Sequence, residues 1–197
     1  MPKPIQMIQN EVYLLIENMG NAARINRQKA ADYILHHPES FESLLLLAFD
    51  VKYKRHFKAA WVLEFVLEQK IHWLYPHLDY FCENIHRFKH ESAIRPMAKI
   101  VYWVAVRYIN KKDLTLNNLL NINHINLIIE TGFDWMIQNI KVAPKVYTMR
   151  TLYNLGKIKD RDLDWVHGEL KQIILQQISS GSPAYQSIGK RILKKIY

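Results

Sequence analysis

The sequence predicts an all-α fold built as a stack of antiparallel helix pairs. Three observations predict it. No run alternates apolar and polar residues with the period of two that marks a half-buried strand, while apolar residues recur at spacings of three and four. Only six Gly and seven Pro punctuate 197 residues, too few for the tight turns of an all-β chain. A small residue followed four positions later by a large apolar one also recurs: Ala30 and Ile34, Ala59 and Leu63, Ala98 and Tyr102, Thr148 and Leu152, Gly189 and Leu193.

The recurrence has a packing reason. Residues i and i+4 share one face of a helix, so the small side chain lets a neighbouring helix approach while the large one fills the core. The small positions are separated by 29, 39, 50 and 41 residues. Helical repeats have a period of roughly 40, and their insertions fall in turns. The chain is therefore expected to be one repeat domain over residues 1–197.

Second helices fill the intervals. Pro38 opens a segment through Phe49, with proline at a tolerated first-turn position. From Pro76 to Phe88, Leu74, Leu78, Phe81, Ile85 and Phe88 form one apolar stripe. Ile125, Ile129, Phe133, Met136 and Ile140 form another, with Gly132 its weak point. Leu163, Val166, Leu170, Ile173 and Gln177 form a third, for which Asp160 or Asp162 is the expected cap. Ser182 and Pro183 read as the cap and first residue of the last helix. The stretch from Ile109 to Asn121 breaks the rhythm as an inserted loop, with a short helix after Thr115.

Arg95-Pro96-Met97-Ala98-Lys99 and the run from Lys141 to Tyr153 resemble first helices of HEAT repeats. Phe133-Asp134-Trp135 and Gly189-Lys190-Arg191-Ile192-Leu193 are similar to segments of short bacterial HEAT-like proteins. The resemblance covers nearly the whole chain and implies a HEAT/armadillo-like α-solenoid, a right-handed α-α superhelix. It implies a fold and not a reaction. Ser179-Ser180-Gly181-Ser182-Pro183 is similar to the Ser-rich loop of the adenylosuccinate lyase superfamily. The Met before that proline and the Lys and Asn after it are absent, and the chain is much shorter than such a lyase. HEAT-type glycosylases that excise alkylated bases share the architecture, but their catalytic Asp and Trp match no position here.

Composition bounds the function. One cysteine, Cys82, excludes an internal disulfide and fits a reducing compartment. The first ten residues have no apolar signal core, and the longest apolar run, Leu44 to Phe49, falls far short of a membrane span. A cytoplasmic protein is expected. The formal net charge of +9 attracts anions, whether nucleic acid, anionic lipid or acidic protein.

Two constellations stand out as a candidate binding surface. Arg27, His56, Arg95 and Lys145 each precede the small residue of their repeat by three positions, and in a stack such equivalents align as a column. Their plain alternative is solvation of helix starts, although cations there oppose the helix dipole. Asp79, Glu83, His86 and His90 are spaced 4-3-4 and would share one polar helix face. Such groups can hold a metal or move protons, but every amphipathic helix needs a solvated face, and the His-Glu-x-x-His order of zinc proteases is missing. The basic tail, Lys190, Arg191, Lys194 and Lys195, suits a helix C-terminus.

No nucleophile elbow, Cys-His-Asn order or Gly-rich phosphate loop is present. The expectation is a non-enzymatic scaffold without cofactor or metal. Its expected partner is a protein or peptide, with nucleic acid as the alternative. The five tryptophans are expected mostly in the core.

Overall fold

The computed structural model describes residues 4–111 and 113–196, apart from the side chain of Asp160. No strand occurs among the described residues. The described residues form eleven α-helices, in order: α1 (Ile5–Asn18), α2 (Arg24–His36), α3 (Phe41–Phe49), α4 (His56–Gln69), α5 (Leu78–Asn84), α6 (Glu91–Ile109), α7 (Leu114–Leu119), α8 (Ile122–Ile137), α9 (Val142–Leu155), α10 (Trp165–Gln177) and α11 (Pro183–Ile196). Short 3-10 turns occupy Pro38–Ser40, Ile71–His77, Ile85–Arg87 and Lys159–Arg161.

The chain forms two compact units. The first runs up to Pro76 and includes Arg87–Met97; the second comprises His77–His86 and the chain from Ala98 onward. In the first, α3 packs on α4, α2 on α4, and α1 on α3. In the second, α9 packs against α8, α10 and α11, and α5 lies against α8.

The recurrent small positions are all buried: Ala30, Ala59, Ala98, Thr148 and Gly189. Ile34, Leu63 and Leu152 four residues on are fully buried too, whereas Tyr102 and Leu193 are only half-buried. In α6 and α11 the core is filled one position earlier, by Val101 and Ile192. Both i+3 and i+4 lie on the same helix face, so the spacing alone does not choose between them. The same ambiguity affects α10, where Ile174 is buried and the expected Ile173 is half-exposed.

Two glycines mark close approaches. A Cβ on Gly132 of α8 would lie 3.1 Å from Leu152 Cδ2 of α9. One on Gly189 of α11 would lie 3.0 Å from Ile174 Cγ2 of α10. What reads in the sequence as a weak point in α8 is a place where α9 approaches closely.

Pro96 lies inside α6 and cannot donate to the carbonyl of Ser92 four residues earlier. The Trp61 indole N–H of α4 donates to that Ser92 oxygen at 2.8 Å. A backbone defect in one helix is thereby satisfied by a side chain from its neighbour.

Local endings depart from expectation at several points. The segment from Pro76 to Phe88 is not one helix: Pro76 sits in a 3-10 turn, α5 starts only at Leu78, and the chain tightens again at Ile85–Arg87. Its stripe is nevertheless buried, at Leu74, Leu78, Phe81, Ile85 and Phe88 alike. The Asp160 side chain lies outside the described residues. Asp162 has φ 51°, and the residue before α10 is Asp164, which makes no side-chain cap. Ser182 does cap α11, its Oγ accepting from the Tyr185 amide at 3.4 Å. The insert contains α7, capped by Asp113, whose carboxylate accepts from Leu116 N at 3.0 Å. Of the tryptophans only Trp135 is fully buried, and Trp165 is 51% exposed.

Candidate interaction surface

The four residues of the basic column divide between the units and differ in environment. In the first unit, Arg27 and Arg95 come to adjacent positions on α4. The Arg27 guanidinium lies over the Phe65 ring at 4.9 Å, with Arg24 over the same ring at 5.6 Å. Arg95 reaches Glu64 Oε2 at 3.1 Å, and that carboxylate is only 1% exposed. Arg95 thus answers a buried acid as well as facing solvent.

His56 is buried instead of standing in line with them. Its Nδ1 lies 3.3 Å from the Ala48 carbonyl, which can only accept, so that nitrogen carries the proton. Its ring stacks on Phe88. Burial pushes its pKa below the ordinary value; His90 works in the same direction, while the Ala48 carbonyl and Asp50 oppose it.

In the second unit, Lys145 is half-buried and donates to Gln177 Oε1 at 3.2 Å. Burial lowers its pKa. Gln177 is the hub of a network. Its Oε1 also accepts from the Tyr185 hydroxyl at 3.2 Å, and its Nε2 donates to the Met136 carbonyl at 3.1 Å. One amide thus links α8, α9, α10 and α11.

The acidic and histidine constellation falls on three successive segments instead of one helix. Asp79 and Glu83 lie on α5 and His86 on the following 3-10 turn. His90 precedes α6 and stacks on Phe57 at 4.8 Å. Asp79 has a partner that its own helix does not reveal. His124 Nδ1 accepts from the Asn121 amide at 3.3 Å, so its Nε2–H donates to Asp79 Oδ1 at 2.6 Å. The same two residues close a capping box on α8, with Asn121 Oδ1 accepting from His124 N at 3.0 Å. Among the described residues, no group of three or more His, Cys, Asp and Glu is placed to hold a metal ion. The Cys82 thiol is buried, and burial beside Asp79 and Glu83 raises its pKa to about 12, which keeps it a thiol.

The pattern that spacing did not reveal is the pairing of cations with rings in the second unit. On α6, Lys99 lies over Trp103 at 4.8 Å. Arg150 of α9 lies over Tyr102 at 6.0 Å, and Tyr102 tilts against Tyr147. Lys157 sits 4.1 Å from the Tyr153 ring, and Lys195 of α11 is 5.9 Å from it. His167 stacks on that ring as well. Trp103 sits four residues after Lys99 and Lys157 four after Tyr153, so i,i+4 spacing was the available signal for these two pairs, whereas Arg150–Tyr102 and Lys195–Tyr153 join different helices. None of the described helices is long and apolar enough to cross a membrane.

Comparison with curated proteins and with solved structures finds no match. A family model does match: residues 19–196 fit the HEAT repeat domain. With helices from one end of that match to the other and buried small residues recurring along it, the chain belongs to the HEAT repeat domain family.

Proposed function

We propose that this chain is a non-enzymatic, cytoplasmic interaction scaffold that binds the acidic side chains of a protein or peptide. The observation that carries this reading is the set of cation–ring pairs on α6, α9 and α11. A ring beneath a cation restrains it, so less rotamer freedom is lost when a carboxylate arrives. The same rings are covered on one face by the protein's own cations, which leaves less aromatic surface for stacking nucleic-acid bases. Membership of a helical-repeat family supports the reading, since stacked repeats generally serve as extended binding surfaces. The surplus of nine basic over acidic side chains supports it too.

The test is fluorescence anisotropy with a short polyglutamate peptide, alongside gel shifts with duplex DNA, single-stranded DNA and RNA across salt concentrations. Lys99→Glu and Arg150→Glu should weaken peptide binding, whereas Lys54→Glu, an equal charge change on an exposed residue of the first unit, should not. Micromolar nucleic-acid binding that falls ~10³-fold between about 50 and 200 mM salt would overturn the reading in favour of phosphate recognition. Equal weakening by all three reversals would reduce the peptide binding to bulk charge.

A further inference from the structure

The insert between α6 and α8 plays no part in the reading above. In the second unit it forms one side of a cleft of about 610 Å³, and the connection from α9 to α10 forms the other. Lys111 and Asn117 line the first side, Lys157 and Lys159 the second, and Tyr108 and Ile158 supply apolar wall. That volume lies within the range of small-molecule sites.

Three features bear on what would occupy it. Among the described residues, the cleft is lined by three lysines and by no carboxylate, so the ammonium groups repel one another until an anion enters. Lys111 holds φ 50° where the chain leaves α6, a left-handed conformation that a lysine adopts at a cost. Strain of this kind in a side-chain-bearing residue is found where ligands are clamped. Asn117 Oδ1 is buried and has no hydrogen-bond partner among the described residues. It lacks a donor, and ammonium groups engaged by an anion would leave that need unmet.

We propose that this cleft binds a small phosphate ester bearing hydroxyl groups, with the three lysines taking the phosphate and Asn117 accepting from a hydroxyl. A phosphate monoester is nearly a dianion with three strong acceptor oxygens, which matches three ammonium donors better than a single carboxylate does. Lys157 is partly restrained already by the Tyr153 ring and by Asn154 Oδ1 at 3.4 Å. The proposal does not depend on the scaffold reading, although Lys157 and its Tyr153 ring are shared with the cation–ring pairs described above.

The experiment is isothermal titration calorimetry of the full chain with ribose 5-phosphate, adenosine 5′-monophosphate, inorganic phosphate and adenosine. The expected result is saturable binding of both esters, inorganic phosphate weaker by roughly tenfold for want of the hydroxyl contact, and no binding of adenosine. Lys111→Glu and Lys159→Glu should each weaken the esters roughly tenfold or more. Asn117→Leu should weaken the esters but not inorganic phosphate, a split that a general loss of structure would not produce. Lys54→Glu should change nothing, and circular dichroism should show every variant folded. Should Lys159→Glu fail to fold, Lys159→Gln carries the same expectation with a smaller loss. Absence of ester binding overturns the proposal. So does inorganic phosphate binding as tightly as the esters, or an equal loss with Lys54→Glu.

Discussion

His56 is a cation by its place in the sequence and a neutral core ring by its place in the structure. Burial lowers its folded-state pKa below the unfolded value of 6.5, so the unfolded chain binds the proton more readily. Its contribution to stability is therefore complete above about pH 6.5 and is lost as the pH falls from there toward the folded pKa. Thermal melts at decreasing pH should show a falling Tm across that window, with a shallower slope in His56→Gln. An unchanged slope would mean that other groups carry the acid sensitivity. Trp61 gives a second residue-scale test. Its indole N–H supplies the Ser92 carbonyl that Pro96 leaves unsatisfied. Trp61→Phe should cost ~1–3 kcal/mol in urea unfolding, since the carbonyl then loses its donor. In a Pro96→Ala background the residue 96 amide can donate instead, so the same change should cost less. A double-mutant cycle with no coupling between the two positions would refute that account.

At the scale of elements, the legible part was what depends on periodicity. Ala30, Ile34, Ala59, Leu63, Ala98, Leu78, Phe81, Ile85, Leu152 and Leu170 all read as core and all are buried. What periodicity hides is how a helix ends and what it meets. The Pro76–Phe88 stripe is genuine, yet continuous helix geometry covers only Asp79 and Glu83 of the polar face, because His86 lies in the 3-10 turn Ile85–Arg87 and His90 precedes the next helix. The His124 partner of Asp79 is 45 residues away in sequence, beyond any local spacing rule. The cation–ring pairs were half legible: Lys99 with Trp103 lies within one helix, but Arg150 with Tyr102 joins two. Gln177 is the plainest case, a polar residue in an apolar stripe whose purpose appears only when α8, α9 and α11 supply its partners. Gln177→Leu keeps the bulk and leaves the Met136 carbonyl, the Tyr185 hydroxyl and Lys145 without that amide. The expected cost is ~1–3 kcal/mol, read as a lower urea midpoint with an unchanged m-value. A neutral result would mean that water replaces the network at no cost.

At the scale of the whole molecule, charge is the property that composition fixes and packing does not remove. Twenty-seven Lys and Arg stand against eighteen Asp and Glu, so nine cations have no acid to match them one for one. Several of the rest are engaged locally: Arg55 with Glu17, Arg95 with Glu64, and Lys58 Nζ with the Met19 carbonyl. Added salt acts on these two populations with opposite sign. It screens the attraction within exposed pairs such as Arg55–Glu17, which contribute only ~0–1 kcal/mol each. It also screens repulsion among the surplus cations, which is summed over many pairs and opposes the compact state. Raising ionic strength from about 0.01 to 0.15 M shortens the Debye length from ~30 to ~8 Å, enough to silence the long-range repulsion while close pairs are only weakened. The melting temperature of the isolated chain should therefore rise over that salt range. The rise should shrink in a variant carrying Lys190→Glu and Lys194→Glu, two exposed cations of α11 that lower the surplus without touching the core. A melting temperature that falls with salt in the parent chain would show that its ion pairs outweigh its net charge. The drive toward an acidic partner would then have to come from local cation–ring geometry alone.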